Sequence, residues 1–108
     1  MFDKLMACED DLALVSRVYK DLDERITRLL SPFKTFKPKH SISEKINGKS
    51  TRDYFDRIHP DLRSQLSNLI RVRNKLIHGG PGADQFANFN TTREAYLLTF
   101  VDVLQHLP

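Results

Sequence analysis

From Lys4 to Leu30 the chain contains no glycine and no proline, and its apolar side chains return every three or four residues. Leu5, Cys8, Leu12, Val15, Val18, Tyr19, Leu22, Ile26, Leu29 and Leu30 then share one stripe of a helix with about 3.6 residues per turn. A helix with one apolar face must bury that face against something else, so its partners have to come from the rest of the chain. Ser31-Pro32 should end it, because proline disfavours helical dihedrals at the residue before it.

Those partners are legible downstream. Residues 32–49 begin as an aromatic and basic connector, with Phe33, Lys34, Phe36, Lys37, Lys39 and His40. Ser41 or Ser43 is suited to cap a short helix through Ile46, before Asn47-Gly48 breaks it. A second short helix fits Thr51–Ile58, burying Tyr54, Phe55 and Ile58. His59-Pro60 should open a long helix to His78, with Pro60 in its first turn and Gly79-Gly80-Pro81-Gly82 as its stop. After a loop at 83–90, Thr91 and Glu94 have capping-box spacing for a last helix through Leu104. The expected fold is all-α: one domain over the 108 residues, a small bundle of three longer helices plus one or two short ones.

The formal charge of +3 is unevenly spread. Residues 1–31 carry five basic and seven acidic side chains, residues 32–82 eleven against four, and residues 83–108 one against three. A basic middle raises the potential toward an anion such as nucleic acid, although a solvated basic surface would have the same composition. Cys8 is the one cysteine, which rules out an intramolecular disulfide and a thiolate cage for a metal. On the apolar stripe it reads as a packed thiol. His40, His59, His78 and His106 show no metal-ligand spacing and the carboxylates form no cluster, so no metal or other cofactor is expected. The N-terminal residues have neither a basic start nor an apolar run, and no stretch approaches the roughly 20 apolar residues that span a bilayer. The expectation is a cytoplasmic protein with no membrane partner.

The chemistry concentrates on the helix ending at His78. At about 100° per residue, Leu62, Leu66, Leu69, Ile70, Leu76 and Ile77 form one apolar arc, and Arg73 falls near its centre. A guanidinium there is costly unless it is paired or lines a cleft. Asn74 lies at the edge of the arc, His78 one turn further along, and Arg71 and Lys75 border the same polar edge. Histidine can move a proton near neutral pH, and arginine can grip phosphate oxygens in two places. Asn74 could orient the imidazole or contact phosphate. The same residues would also suit an arginine bridging helices through a carboxylate and a histidine capping the helix.

In sequence this segment is Arg71-Val72-Arg73-Asn74-Lys75-Leu76-Ile77-His78-Gly79. It resembles the signature of the HEPN superfamily, in which an arginine, usually followed by a polar residue, and a histidine are separated by four to six residues near the end of a helix. The resemblance implies a metal-independent endoribonuclease whose site forms where two protomers pack around their motif helices, with a cyclic phosphate as product. Arg73 and His78 would be catalytic and Asn74 supporting. Arg71, Lys75, Lys34, Lys37 and Lys39 would hold RNA. Such a protein would work as a homodimer, with an antitoxin or regulatory protein as a possible further partner in toxin–antitoxin or phage-defence systems. Some HEPN toxins carry a tyrosine two residues after the histidine, a target for modification; here that position is Gly80.

A looser likeness covers residues 11–79. Asp11-Leu-Ala-Leu-Val, Leu22-Asp-Glu-Arg-Ile, Ser43-Glu-Lys-Ile and the Arg-Val-Arg-Asn helix are similar to mannitol operon repressor-like proteins. That likeness implies a non-catalytic HEPN-like binding module or transcriptional regulator instead.

Overall fold

The computed structural model describes residues 2–7, 10–33, 40–49, 51–78, 86 and 91–108. Among these the chain forms six helices and no strand: α1 (Phe2–Met6), α2 (Asp11–Leu30), α3 (Ile42–Asn47), α4 (Arg52–Ile58), α5 (Leu62–His78) and α6 (Arg93–His106). The all-α bundle of three longer helices is as expected, but three short helices accompany them. The extra one comes from the N-terminus, where the single helix expected over 4–30 is divided. Asp10 is extended (φ −114°, ψ 128°) and its side chain accepts the Leu12 N–H, so α2 starts afresh behind an aspartate cap. Cys8 lies outside the described residues.

α2 stops at Leu30, before Ser31-Pro32. Ser41 is the residue that caps α3, in a capping box with Glu44. Thr51 precedes α4 without capping it. Its hydroxyl instead donates to the Lys45 carbonyl at 2.6 Å and so fastens the end of α3 to the start of α4. His59, the residue before Pro60, takes extended dihedrals (φ −162°, ψ 134°) and closes α4, as the proline ring requires. Pro60 then lies in the turn before α5 and not within its first turn. The last helix begins one residue later than the spacing indicated: Thr92 accepts from the Ala95 N–H, and α6 continues to His106. Of the loop expected at 83–90 only Phe86 is described, a buried ring 5.3 Å from that of Tyr96. The stop expected at 79–82 lies outside the described residues.

α5 is the hub, packing against α2, α3, α4 and α6. Gln65 donates to Asp102 at 2.7 Å, and the Tyr96 hydroxyl lies 3.5 Å from the Leu69 carbonyl, so α6 runs antiparallel to α5. Tyr19 faces Arg73 while Phe33, just past α2, meets Tyr54 ahead of α5, so α2 is antiparallel to α5 as well. The core joins Leu14, Val15, Val18, Leu22, Ile26 and Leu30 of α2 to Leu62, Leu66, Leu69, Ile70, Val72 and Leu76 of α5 and to Tyr96, Leu97, Phe100 and Val103 of α6. Leu14 and Val72 belong to it although neither stripe included them. Tyr54 and Ile58 are only partly buried; Phe55 carries α4 into the core.

Two polar clamps hold the frame. Arg93 at the start of α6 pairs with Asp11 and donates to the Met6 carbonyl at 3.3 Å, gathering α1, α2 and α6 at one end. Lys45 of α3 is 3% exposed, and its ammonium lies 2.7 Å from Asp23 and 3.1 Å from Thr27 on α2. Lys45 is enclosed while the Asp23 side chain is 40% exposed, so removing Asp23 weakens the hold on an enclosed ammonium, whereas an apolar replacement of the lysine removes that charge altogether. Asp23→Ala should therefore cost about 1 kcal/mol and Lys45→Met distinctly less. Urea denaturation of the two variants checks this; equal or reversed costs would refute it.

Candidate functional site

The C-terminal half of α5 holds Arg71, Arg73, Asn74 and Lys75, with His78 in its last turn. The helix carries no acid: from Leu62 to His78 it contains Arg63, Arg71, Arg73 and Lys75 and neither aspartate nor glutamate. The core narrows here. Leu76 is 3% exposed, yet Ile77, one turn beyond Arg73 on the same stripe, is 40% exposed. Arg73 thus occupies the centre of the apolar arc at the level where the bundle opens.

Its partners are all neutral. The guanidinium carbon sits 4.0 Å from the centre of the Tyr19 ring on α2, a cation–π contact. Nη1 donates to Asn74 Oδ1 at 2.7 Å. Nε is buried and has no hydrogen-bond partner among the described residues. No ion pair among the described residues involves Arg73.

Tyr96 of α6 stands on the other side. Burial pushes its phenol well above the ordinary value near 10, and the Arg73 charge, which favours phenolate, opposes this only in part. Neither Tyr19 nor Tyr96 was singled out as a site residue. Tyr19 reads from sequence as one more member of an apolar stripe, and its place under a guanidinium depends on how α2 and α5 register.

The Asn74 amide oxygen accepts from Arg73 and so positions the guanidinium. His78 is exposed at the end of α5, and no hydrogen bond among the described residues holds its ring. Five residues apart, Arg73 and His78 differ by about 140° around the helix and about 7.5 Å along it. One chain therefore brings Arg73 and Asn74 together and leaves His78 one turn beyond Asn74, on a different side of the helix from Arg73. Arg71 is exposed and donates to Asn68 Oδ1 at 3.0 Å; Lys75 is exposed beside it. Lys34, Lys37 and Lys39 lie outside the described residues.

The histidines, dispersed in sequence, include one tertiary pair. The rings of His59 and His106 stack with centroids 3.9 Å apart; His59 Nδ1 accepts the Asp61 N–H, and His106 lies 3.7 Å from Asp102. Among the described residues no group of three or more His, Cys, Asp or Glu could hold a metal, and no helix is long and apolar enough to cross a membrane. Comparisons with protein-family models, curated proteins and solved structures gave no match.

Tyr96 supplies a test of this environment. A folded-state pKa raised above the unfolded value means that stability is complete below about pH 10 and falls as pH rises beyond it, since only the unfolded chain releases the proton there. Tyr96→Phe should flatten that alkaline decline relative to the parent, which thermal melts between pH 8 and roughly pH 11 would reveal. Parallel declines in both proteins would show that the hydroxyl is not protected as described.

Proposed function

We propose that this chain is a HEPN-type, metal-independent endoribonuclease whose site is completed by a second copy of itself. The observation that carries the reading is Arg73: a permanent cation on an apolar stripe, held by an aromatic face and an amide, with no carboxylate among the described residues to neutralise it. Such a guanidinium is fixed in place and keeps its charge for an incoming anion. His78 supplies the proton-transfer group. It would take the proton of a ribose 2′-hydroxyl as that oxygen attacks the adjacent phosphorus, and a second imidazole would return a proton to the departing 5′-oxygen. The products are a 2′,3′-cyclic phosphate and a 5′-hydroxyl, and no water is consumed in this step.

Two imidazoles and a guanidinium must converge on one phosphodiester, and one α5 cannot supply them. A twofold pairing of α5 with α5 places the Arg73 of one copy opposite the His78 of the other and doubles both groups. Ile77, apolar and 40% exposed between them in sequence, gives that contact an apolar centre.

A second reading also has an observation in its favour. The buried Nε and the Tyr19 contact are what an arginine kept for packing would show, as in a non-catalytic HEPN-like module or a mannitol operon repressor-like regulator. The two readings separate on His78. His78→Ala removes an exposed ring and should cost about 1 kcal/mol or less in stability, while lost acid–base catalysis should slow cleavage by about a hundredfold or more. The expected result is RNA cleavage by the parent that survives chelation and leaves a cyclic phosphate, with His78→Ala folded, dimeric and inactive. Cleavage restored only by magnesium, or unchanged in His78→Ala, would sink the catalytic assignment. A monomer by light scattering would sink the shared site.

A further inference from the structure

A polar cleft of about 480 Å³ lies where α5 meets the turns of α3 and α4, away from the Tyr19–Arg73 contact. Along α5 it is lined by Arg63, Ser64, Ser67, Asn68 and Arg71, with Asn47 contributed from α3, Asp56 from α4 and Pro60 from the turn between α4 and α5. Ser64, Ser67 and Arg71 recur at steps of three and four, and the same rhythm continues through Asn74 or Lys75 to His78. These are exposed positions of one helix face, the polar counterpart of the buried stripe on the other side.

From this we infer that the exposed face of α5 is a track for the backbone of single-stranded RNA, leading from the Asn47–Arg63 cleft to His78. The choice of RNA rests on the ribonuclease reading; the track itself rests on three features. The face offers what phosphate and sugar oxygens bind: hydroxyls, amides and guanidinia. Its charge rises toward His78. At the far end Arg63 is neutralised, donating to both oxygens of Asp56 at 2.7 and 3.0 Å and to Asn47 Oδ1 at 2.9 Å. Further along, Arg71 donates only to the neutral Asn68 among the described residues, and Lys75 follows. Finally, the span suits a few nucleotides, since Arg63 to His78 covers about 22 Å of helix.

None of the residues lining the cleft is aromatic, so bases have no stacking platform and the track reads backbone, not sequence. Single strands fit the proposed chemistry, because attack by the 2′-oxygen in line with the leaving oxygen needs a linkage free to leave helical geometry.

Ser67→Glu is the decisive variant. The new carboxylate falls four residues from both Arg63 and Arg71, spacing that supports a helix, so folding should be kept or improved. On the track it repels phosphate. With a labelled single-stranded 2′-O-methyl RNA, which binds but lacks the attacking hydroxyl, anisotropy should show affinity reduced about tenfold or more in Ser67→Glu. Arg71→Ala should lower the salt slope of binding by about 0.7, the change expected when one phosphate fewer is neutralised. Arg28→Ala, which removes an exposed charge on α2, should bind like the parent. On cleavable RNA, Ser67→Glu should raise KM and leave kcat unchanged. Equal binding by the parent and a folded Ser67→Glu protein, equal weakening in Arg28→Ala, tighter binding of duplex than of single strand, or no binding by the parent would each overturn the track. Binding that Ser67→Glu abolishes, in a parent that cleaves no RNA, would uphold the track and reject the ribonuclease reading.

Discussion

The structure depends on the burial of one face of α5. Every other helix except α1 packs on it, so Leu62, Leu66, Leu69, Ile70, Val72 and Leu76 are shared by several interfaces at once. Each aliphatic side chain of this size contributes on the order of 2 kcal/mol on full burial, and trimming one opens a cavity among three helices. This concentration also decides where polar chemistry can stand. Where α2 and α6 cover α5 completely, the stripe is hydrocarbon; where their cover runs out, the same stripe carries Arg73 and then an exposed Ile77.

That taper explains how one helix can be both core and candidate site. A site built on a rigid, well-packed helix keeps its groups in fixed relation to one another. Arg73 gains from it directly: its stem continues the packed stripe, its head rests on Tyr19, and Asn74 fixes one end of the fork. The opposite face of α5, free of packing demands, repeats polar residues with the same helical period. Both faces therefore end at the same last turn, where the exposed His78 stands.

How much of this was legible in the sequence depended on whether the cause was local. Helical periodicity and the Ser41 cap are short-range effects, and they located the bodies of the three long helices and the break before Pro32. The division of the N-terminal helix was missed because the apolar period runs unbroken across Asp10, whose capping hydrogen bond competes with helix continuation. At the start of α6 Thr92 caps and not Thr91, since adjacent threonines have the same capping chemistry and the spacing to Glu94 pointed to the wrong one. In the candidate site, Arg73 stood out as a charge on an apolar arc. Tyr19, Tyr96 and the His59–His106 stack did not, since each pairs residues from distant parts of the chain. The Arg73–Asn74 hydrogen bond was not legible either, because neighbouring side chains on a helix point apart and it is the length of arginine that lets the two meet.

The treatment of the other enclosed or half-buried cations makes Arg73 informative. Lys45 is sealed by Asp23 and Thr27, and Arg93 is seated on Asp11 and a backbone carbonyl. In both cases a carboxylate offsets the charge, which is how a protein holds a cation that serves only its architecture. Arg73 is treated differently. A cation–π contact of about 0.5–2 kcal/mol and one amide hydrogen bond restrain it, while an enclosed Nε costs about 1–3 kcal/mol for as long as it lacks a partner. An apolar residue here would spare the cost of enclosing Nε, and it is the proposed anion-binding role that gives an arginine held by an aromatic ring and an amide a reason to stand there.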